Sequence, residues 1–395
     1  MSILENTLEK LAEVQKKHNY YILVAVIIIT IFMAIGASKL QMQTDMSKEM
    51  PQDLPIFKLN ERITDKFGGQ DTILVVLQVD DSSNSKDAIT DLRDPKVITY
   101  LQELEYSLTK ETSIDGAYSV ATYMNGYPIT TKEQVIAFIK NVPQTSSFYS
   151  KDYKVTAMYI TTDLGTSEDR IISTTDLIND KINSLSKPPG VKVMITGNAP
   201  MRVTLLEILK KDAIFTLLLA ALIILVILFI TEKSVPKGII VFTPLFFGII
   251  WTVGTMGWVG LKLSVATVGI GAMILGLGVE YGVFMLARYK EEREKGKSQL
   301  NTLKLSVPSV GIGILGSATT TIVGFLALTL SVMPMLQHLG LSLALGIFYC
   351  LLAALFIEPV FIIKMEEWEY HFANRLHDKF AKMKESAKSD LEWTR

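Results

Sequence analysis

The run LSVATVGIGAMILGLGVEYGVFMLA (Leu263–Ala287) decides the fold class of this chain. It is long enough to cross a hydrocarbon core about 30 Å thick as one helix, since each helical residue adds about 1.5 Å. Glu280 is its only charged side chain. This length and composition predict a transmembrane helix rather than a buried helix of a soluble domain.

Similar runs lie on both sides of this segment, and the longest holds two helices joined near Met333. These runs are Asn19–Ser38, Ala213–Thr231, Gly238–Leu261 and Leu305–Ile363. The sequence therefore predicts a polytopic α-helical membrane protein with six transmembrane helices. Span 1 is assigned to residues 19–40 and spans 2 to 6 to residues 206–363.

The short loops predict the orientation of the chain. The loop after span 4, Arg288–Lys304, holds six Lys or Arg residues against three Glu residues. Because basic short loops stay in the cytoplasm, both chain ends are predicted to be cytoplasmic in a multi-pass protein of the cell membrane. The segment between spans 1 and 2, residues 41–205, is then extracytoplasmic.

This segment shows two β-α-β patterns in tandem. Strand, helix and strand are predicted at Thr72–Val79, Pro95–Lys110 and Ala117–Tyr123, and again at Tyr153–Thr162, Ser167–Leu185 and Val191–Thr196. Residues 127–150 form an insertion. The order predicts an α+β domain of the ferredoxin-like kind.

Two amphipathic stretches flank the predicted spans. Residues 1–18 and 364–395 each carry apolar side chains at three- and four-residue steps, which predicts two cytoplasmic helices. Each helix is expected either to lie on the inner membrane surface or to pack on a neighbouring element.

Composition excludes several classes of function. A net charge of −1 provides no basic field for a nucleic acid. Cys350 is the only cysteine, so neither a disulfide within the chain nor a cysteine metal site can form. Because no metal-ligand cluster, nucleophile-base pair or phosphate-binding loop is recognisable, we predict no metal, no cofactor and no enzymatic activity.

The acid within span 4 is the main candidate for function. An ionised carboxylate in the membrane costs at least about 2.5 kcal/mol, and such residues usually serve in ion or proton pathways. Helical spacing places it on one face with Gly276, and a matching face of span 5 carries small and hydroxyl side chains. These are Gly313, Ser317, Thr320 and Gly324, with Thr319 beside them. Tyr281 adds a hydroxyl group next to Glu280.

Each of these residues also has a structural interpretation. Hydroxyl side chains in membrane helices often donate to their own helix carbonyls, and small residues often only pack helices. Glu358 lies near the cytoplasmic end of span 6, so it is expected to reach the interface, with a role as a secondary acid as the alternative.

Five segments resemble the resistance-nodulation-division (RND) superfamily. The resemblance points to the branch of the mycobacterial large membrane proteins (MMPL) and hopanoid transporters, related more distantly to Patched and Niemann-Pick proteins. The segments are DMSKEMPQDLP (45–55), FGGQDTILVVL (67–77), ITGNAPMRVTLLEILKKD (195–212), GLGVEYGVFMLARYKEER (276–293) and GILGSATTTIVGFLAL (313–328).

The resemblance implies a proton-driven transporter with a porter-type outer domain and a lipid or other hydrophobic substrate. The proton-carrying acid of the family falls on Glu280 and the aromatic residue after it on Tyr281. The hydroxyl residues of span 5 fall on Ser317, Thr319 and Thr320.

Two features depart from the family pattern. The acid is Glu where the family usually has Asp, and the chain holds one six-span unit where most members hold two. A symmetric homodimer would restore twelve spans, so a homodimer is predicted.

Two other functions remain open at this stage. A Patched-like lipid sensor or receptor would use the acid to set a conformation without net flux. A Sec-associated export auxiliary would use it to pull polypeptides. Signalling output without measurable flux would favour the sensor.

Overall fold

The computed structural model describes residues 3–43, 49–51, 53–59, 62, 71–83, 87–162, 164, 168–369 and 371. The chain divides into two compact units, one of residues 51–208 and one of residues 1–50 with 209–395. We call them the sheet unit and the helical unit.

The sheet unit contains one antiparallel sheet of four strands. These are β1 (Asp71–Val79), β2 (Gly116–Tyr118), β3 (Val155–Thr162) and β4 (Val191–Gly197), in the order β2-β3-β1-β4. Alternate β1 residues are fully buried, and Val75 pairs with Met158 on one side and with Ile195 on the other. The period of two along β1 therefore builds the core on one face of the sheet.

Between β1 and β4, the described residues form four helices and a short 3₁₀ segment. The helices are α2 (Pro95–Leu108), α3 (Val120–Met124), α4 (Lys132–Asn141) and α5 (Glu168–Ser184), and the 3₁₀ segment is Pro143–Phe148. The predicted start at Pro95 is confirmed, because Asp94 caps the first turn by accepting a hydrogen bond from the Lys96 amide at 2.9 Å. Leu101, Leu104 and Ile178 join the sheet residues in one core.

The predicted strand Ala117–Tyr123 is wrong beyond Tyr118. The Ser119 hydroxyl accepts a hydrogen bond from the Ala121 amide at 3.0 Å, and the Thr122 hydroxyl accepts one from the Ser119 amide at 2.9 Å. These reciprocal bonds form a capping box that begins α3. The local cap therefore overrides the strand-like composition of the segment.

Asp91 ties the loop before α2 to α4. Its carboxylate lies 2.6 Å from the Arg93 guanidinium group and 2.9 Å from the Lys132 ammonium group. Burial alone would raise the pKa of Asp91, but the hydrogen bonds from Arg93 and Lys132 outweigh it and hold that pKa well below its usual value. The stabilisation is therefore complete above the unfolded pKa of about 4 and is lost as the pH falls below it.

We expect Asp91→Asn to lower the free energy of unfolding of the sheet unit by about 1 to 2 kcal/mol at pH 7. The difference from wild type should shrink as the pH falls below about 4, because the unfolded wild-type chain is then protonated at Asp91 while the folded protein keeps this charge to a lower pH. Hydrogen exchange of the α4 amides, measured in the full chain, reports this change in the free energy of unfolding. The control is Asp115→Asn at an exposed carboxylate. A difference that persists at low pH would contradict the prediction.

Six helices of the described chain are long and apolar enough to cross a membrane, and the helical unit contains them, apart from residues 198–208 of the second, together with the N-terminal helix α1 (Ile3–Lys17). They are span 1 (Asn19–Ala37), span 2 (Asn198–Glu232), span 3 (Val235–Val259), span 4 (Ile270–Glu294), span 5 (Gln299–Leu330) and span 6 (Pro334–Glu369). The predicted number of spans is confirmed. Span 6 contains a π-helical turn at Ala353–Ile357 and continues past residue 363.

Span 3 is the centre of the helical unit and packs against spans 1, 4 and 6. Its approach to span 1 depends on glycine, since a Cβ atom at Gly257 would overlap the Gly36 carbonyl oxygen. Such backbone contact through small residues is the usual means of packing helices in lipid, where apolar side chains gain little by leaving the solvent.

Helix α1 packs on span 5, which decides between the two positions left open by its amphipathic pattern. Its buried face carries Leu8, Ala12 and Gln15. The Gln15 side-chain amide donates a 2.6 Å hydrogen bond to the Leu355 carbonyl in the π-helical turn of span 6. The predicted helix over residues 364–395 lies mostly outside the described residues.

Candidate functional site

The site is built around a contact between spans 4 and 5. The Ser317 hydroxyl donates a hydrogen bond of 3.2 Å to Glu280 Oε1. Glu280 is half-buried and Ser317 is exposed at the surface of the single chain. A carboxyl group is thus held by a neutral donor, and neither residue has a cationic partner among the described side chains.

Both residues line a cavity of about 480 Å³ between the two spans. The cavity is lined by Glu280, Tyr281, Phe284, Ala287, Arg288, Glu291, Ser309, Val310, Gly313, Ile314 and Ser317. Arg288 lies two helical turns from Glu280, about 12 Å along span 4 by helical rise. The cavity therefore extends from the acid to the charged end of the span, with mostly apolar residues lining the part between them.

That end of the cavity carries a network of ion pairs. The Arg288 guanidinium group lies 2.6 Å from Glu291 and 3.0 Å from Glu292. Lys295 and Lys297 also pair with Glu292, whose side chain is 3% exposed. Arg288, Glu291 and Ser309 were not predicted from the sequence. Extending the helical faces of Glu280 and Ser317 by one to three turns would have found them.

Tyr281 lies beside the acid in sequence, but its ring packs into the core of the helical unit. It lines part of the cavity and is 1% exposed. Within the described part of the chain, no hydrogen bond joins its hydroxyl group to Glu280. The buried Tyr281 ring therefore forms part of the cavity wall next to Glu280.

The two predicted threonines differ from Ser317. The Thr320 hydroxyl donates to the Ser317 carbonyl oxygen at 2.8 Å, which satisfies it within its own helix. Thr319 is exposed, and neither threonine is among the residues that line the cavity. Of the three predicted hydroxyl groups, Ser317 alone contacts Glu280 in this conformation of the described chain.

The glycines predicted to permit close packing face open space. For Gly276, Gly313 and Gly324, no heavy atom of the described chain lies within 4 Å of the position of an added Cβ atom. They do not pack helices within one chain. Together with Ser317 and Thr320 they form a small-residue face on spans 4 and 5, which we call the open face.

Glu358 does not reach the interface, so that expectation is wrong. Its side chain is 0% exposed, and neither carboxyl oxygen has a hydrogen-bond partner among the described residues. The residue directly follows the π-helical turn, where the helix is widened by the extra residue per turn. Packing against span 3 encloses this turn, so the side chain cannot extend to water.

Six membrane-length helices with an acid between two of them define an integral, multi-pass membrane protein. The chain belongs to the MMPL family, whose pattern matches residues 50–384. A protein of Methanocaldococcus jannaschii, MJ1562, named only as a membrane protein, is 34% identical over 370 residues. These cover 91% of this chain and 94% of that protein.

Two relatives with named activities match smaller parts of the chain. The siderophore exporter MmpL5 of Mycobacterium tuberculosis is 25% identical over 46% of this chain and 19% of its own length. The hopanoid transporter HpnN of Burkholderia multivorans is 24% identical over 48% of this chain and 22% of its own length. The chain thus matches about a fifth of each of these transporters.

Proposed function

We propose that this protein is a transporter of a lipid or another hydrophobic substrate, driven by protons that bind and leave Glu280. The observation that carries the proposal is the Glu280–Ser317 contact in a cavity that extends to the charged end of span 4. A carboxyl group with a neutral donor and a path to water can hold a proton in one state and release it in another.

Membrane energetics supply the driving force. One elementary charge that crosses the membrane potential releases about 2.3 kcal/mol per 100 mV. This is comparable with the cost of about 2.5 to 3.5 kcal/mol for an ionised carboxylate at the centre of a membrane helix. Protonation of Glu280 can therefore bias two conformations that differ by a few kcal/mol.

The proposal includes the predicted orientation. The basic loop after span 4 supports a cytoplasmic position for both chain ends, and in this proposal the sheet unit is a ferredoxin-like, porter-type domain outside the cell membrane. In this orientation the ion-paired end of the cavity faces the cytoplasm. Arg288, Glu291 and Ser309 would line the path of the proton between the cytoplasm and Glu280.

The substrate class rests on the relatives. A hopanoid transporter and a siderophore exporter both move molecules larger than ions, and the first moves a lipid. Purified protein in liposomes with an imposed pH gradient tests the proposal. We expect movement of a fluorescent fatty acid or lipid between leaflets to follow the gradient and to stop when an uncoupler removes it. Movement unaffected by the uncoupler would contradict proton coupling.

We propose further that two copies pair through the open face. An acid that one chain leaves half-buried in an apolar helix is unfavourable in contact with lipid, and a second copy would cover it. Glycine and serine on this face permit close approach of helices from another chain. Pairing would enclose both Glu280 cavities between the two copies.

Crosslinking tests this homodimer. We expect Gly316→Cys, at an exposed position of span 5 with open space around its Cβ site, to give a disulfide-linked dimer in membranes. Ile230→Cys is the control, because this side chain is 69% exposed on span 2. Adding Gly276→Leu should prevent the crosslink, since leucine fits beside open space in one chain but not at a tight interface. Equal crosslinking of the Gly316→Cys and Ile230→Cys variants would refute the proposed interface at the open face.

A further inference from the structure

A second cavity lies at the end of the helical unit where spans 1 and 3 finish and span 4 begins, beside residues 210–217 of span 2. Its volume is about 240 Å³. Span 2 contributes Ala213, Ile214 and Leu217, and span 3 contributes Ile249, Val253 and Met256. Ile270, Gly271 and Ile274 of span 4 complete the apolar walls. This cavity is separate from the Glu280 cavity, which shares no lining residue with it.

Backbone hydrogen bonds fix the connecting segments around this cavity. The Gln43 amide donates to the Leu263 carbonyl oxygen at 2.7 Å, and the Leu263 amide donates to the Gln41 carbonyl oxygen at 2.8 Å. The segment after span 1 is thereby held to the loop before span 4. Met42 and Leu263 line the cavity from this pairing. This side of the cavity is therefore formed by two segments that are held together by backbone hydrogen bonds.

Glycine keeps the interior open. A Cβ atom at Gly271 would lie 2.9 Å from Leu217 Cδ1 on span 2, so any larger residue there would push into the cavity wall. The Thr267 hydroxyl, which also lines the cavity, accepts a hydrogen bond from the Ser264 amide at 2.7 Å. Since that hydroxyl is satisfied within the loop, the interior presents apolar surface.

Lys210 is the only charged residue among the described residues that line this cavity. It lies on span 2 directly before the uncharged run that begins at Ala213, and its side chain is exposed. Among the described residues it forms no ion pair. A lysine at the boundary between apolar helix and water extends its ammonium group toward the water while its methylene groups cover apolar surface. The cavity therefore combines an apolar interior with a cationic rim.

We propose that this cavity binds one acyl chain of a long-chain carboxylate, with the carboxylate group at Lys210. The volume is below the 300 to 1,000 Å³ typical of sites for drug-sized ligands, and a single acyl chain is a ligand of this smaller size. A single ammonium group matches the single charge of a carboxylate, whereas phosphate groups are usually held by several donors. This assignment deepens the proposed function by naming the substrate class.

Photolabelling tests the assignment in the full chain, reconstituted in nanodiscs of phosphatidylcholine without a proton gradient. The probe is a sixteen-carbon fatty acid with a diazirine near the end of its chain, and adducts are located by mass spectrometry. We expect adducts on the walls formed by spans 2, 3 and 4. A fatty alcohol and a fatty amine of equal length should label at least about fivefold less, since one lysine contributes about 1 kcal/mol. Equal labelling by the alcohol would overturn the role of the charge.

Two variant pairs sharpen the test. Lys210→Glu should reduce labelling by the carboxylate about tenfold, while Lys211→Glu, at an exposed neighbour that does not line the cavity, should not. Ala213→Trp should fill the cavity and block labelling, whereas Leu218→Trp, at an exposed site outside it, should not. Lys210 is exposed, so its variant tests the proposal even if Ala213→Trp fails to fold.

Two further outcomes have defined meanings. Labelling by a single-chain phosphate of equal length that matches or exceeds the carboxylate would overturn the assignment of the head group. Because the labelling needs no gradient and no transport, it is independent of proton coupling. Adducts at the cavity in a protein that shows no transport would refute the proposed function and leave this inference standing.

Discussion

Glu280→Gln is expected to abolish gradient-driven transport and to leave the fold intact. Glutamine keeps the size of the side chain and can still accept the hydrogen bond from Ser317, but it cannot bind and release a proton near neutral pH. We expect the transport rate in liposomes to fall by about 100-fold or more, the range found when a group essential for proton transfer is removed. Elution and thermal stability in detergent should remain those of wild type.

Two matched variants separate proton binding from general disturbance of the cavity. Ser317→Ala removes the donor to Glu280 and should slow transport about fivefold, which corresponds to about 1 kcal/mol for one hydrogen bond. Glu294→Gln changes an exposed acid of the same span that does not line the cavity. It should retain most of the activity.

The decisive measurement is the coupling of proton flux to substrate movement, in addition to the transport rate. In wild type, substrate movement should be accompanied by proton flux, measured with a dye inside the liposomes. Glu280→Gln should remove both together, and Glu280→Asp should retain some of each. Transport by Glu280→Gln at the wild-type rate with a full dependence on the gradient would show that another group carries the proton.

The six spans could be predicted from the sequence because the requirement for crossing a membrane depends only on the length and composition of a continuous segment. A helix in lipid must satisfy its own backbone and present apolar side chains over a fixed length, so counting uncharged residues was sufficient. The same reasoning identified Glu280, since an acid in such a run is conspicuous. The first strand of the sheet unit was predicted from its apolar run and the last two from their alternation, while the capping box at Ser119 ended the predicted second strand early.

The parts that sequence could not supply depend on which helices are neighbours. Periodicity placed Ser317 and Thr320 on one face of span 5, but only the packing of spans 4 and 5 brings Ser317 to the acid while Thr320 bonds to its own helix. The apolar cavity at Lys210 is formed by residues far apart along the chain. Spacing along one helix contains no information about such assemblies.

The environment of Glu358 could not be predicted from the sequence either, and it determines how substitutions at this position should affect stability. Its place near the end of an apolar run indicated an interfacial side chain, yet the π-helical turn and span 3 enclose it. An ionised carboxylate without a partner in such a site would cost many kcal/mol, whereas a neutral amide of the same size would not. Glu358→Gln should therefore keep the unfolding free energy within about 1 kcal/mol of wild type.

Glu358→Lys should have the opposite result. It places a cation in a buried site without a partner, which should destabilise the protein by about 3 to 5 kcal/mol and lower its yield in membranes sharply. Thermal aggregation in detergent, followed by size-exclusion chromatography, measures both variants. Glu369→Lys, at an exposed acid near the end of span 6, is the control for charge reversal and should change little.

The pair of neutral variants then decides whether Glu358 works as a second acid. Glu358→Leu removes two unpartnered oxygens from the core, so it should be neutral or stabilising. If Glu358 is only structural, transport by Glu358→Gln and Glu358→Leu should remain near the wild-type rate. If the buried acid exchanges its proton during the cycle, both variants should be stable and slow, with proton flux reduced in parallel. A loss of stability in Glu358→Gln would instead mean that the carboxyl group is ionised and has a partner, contrary to the packing described above.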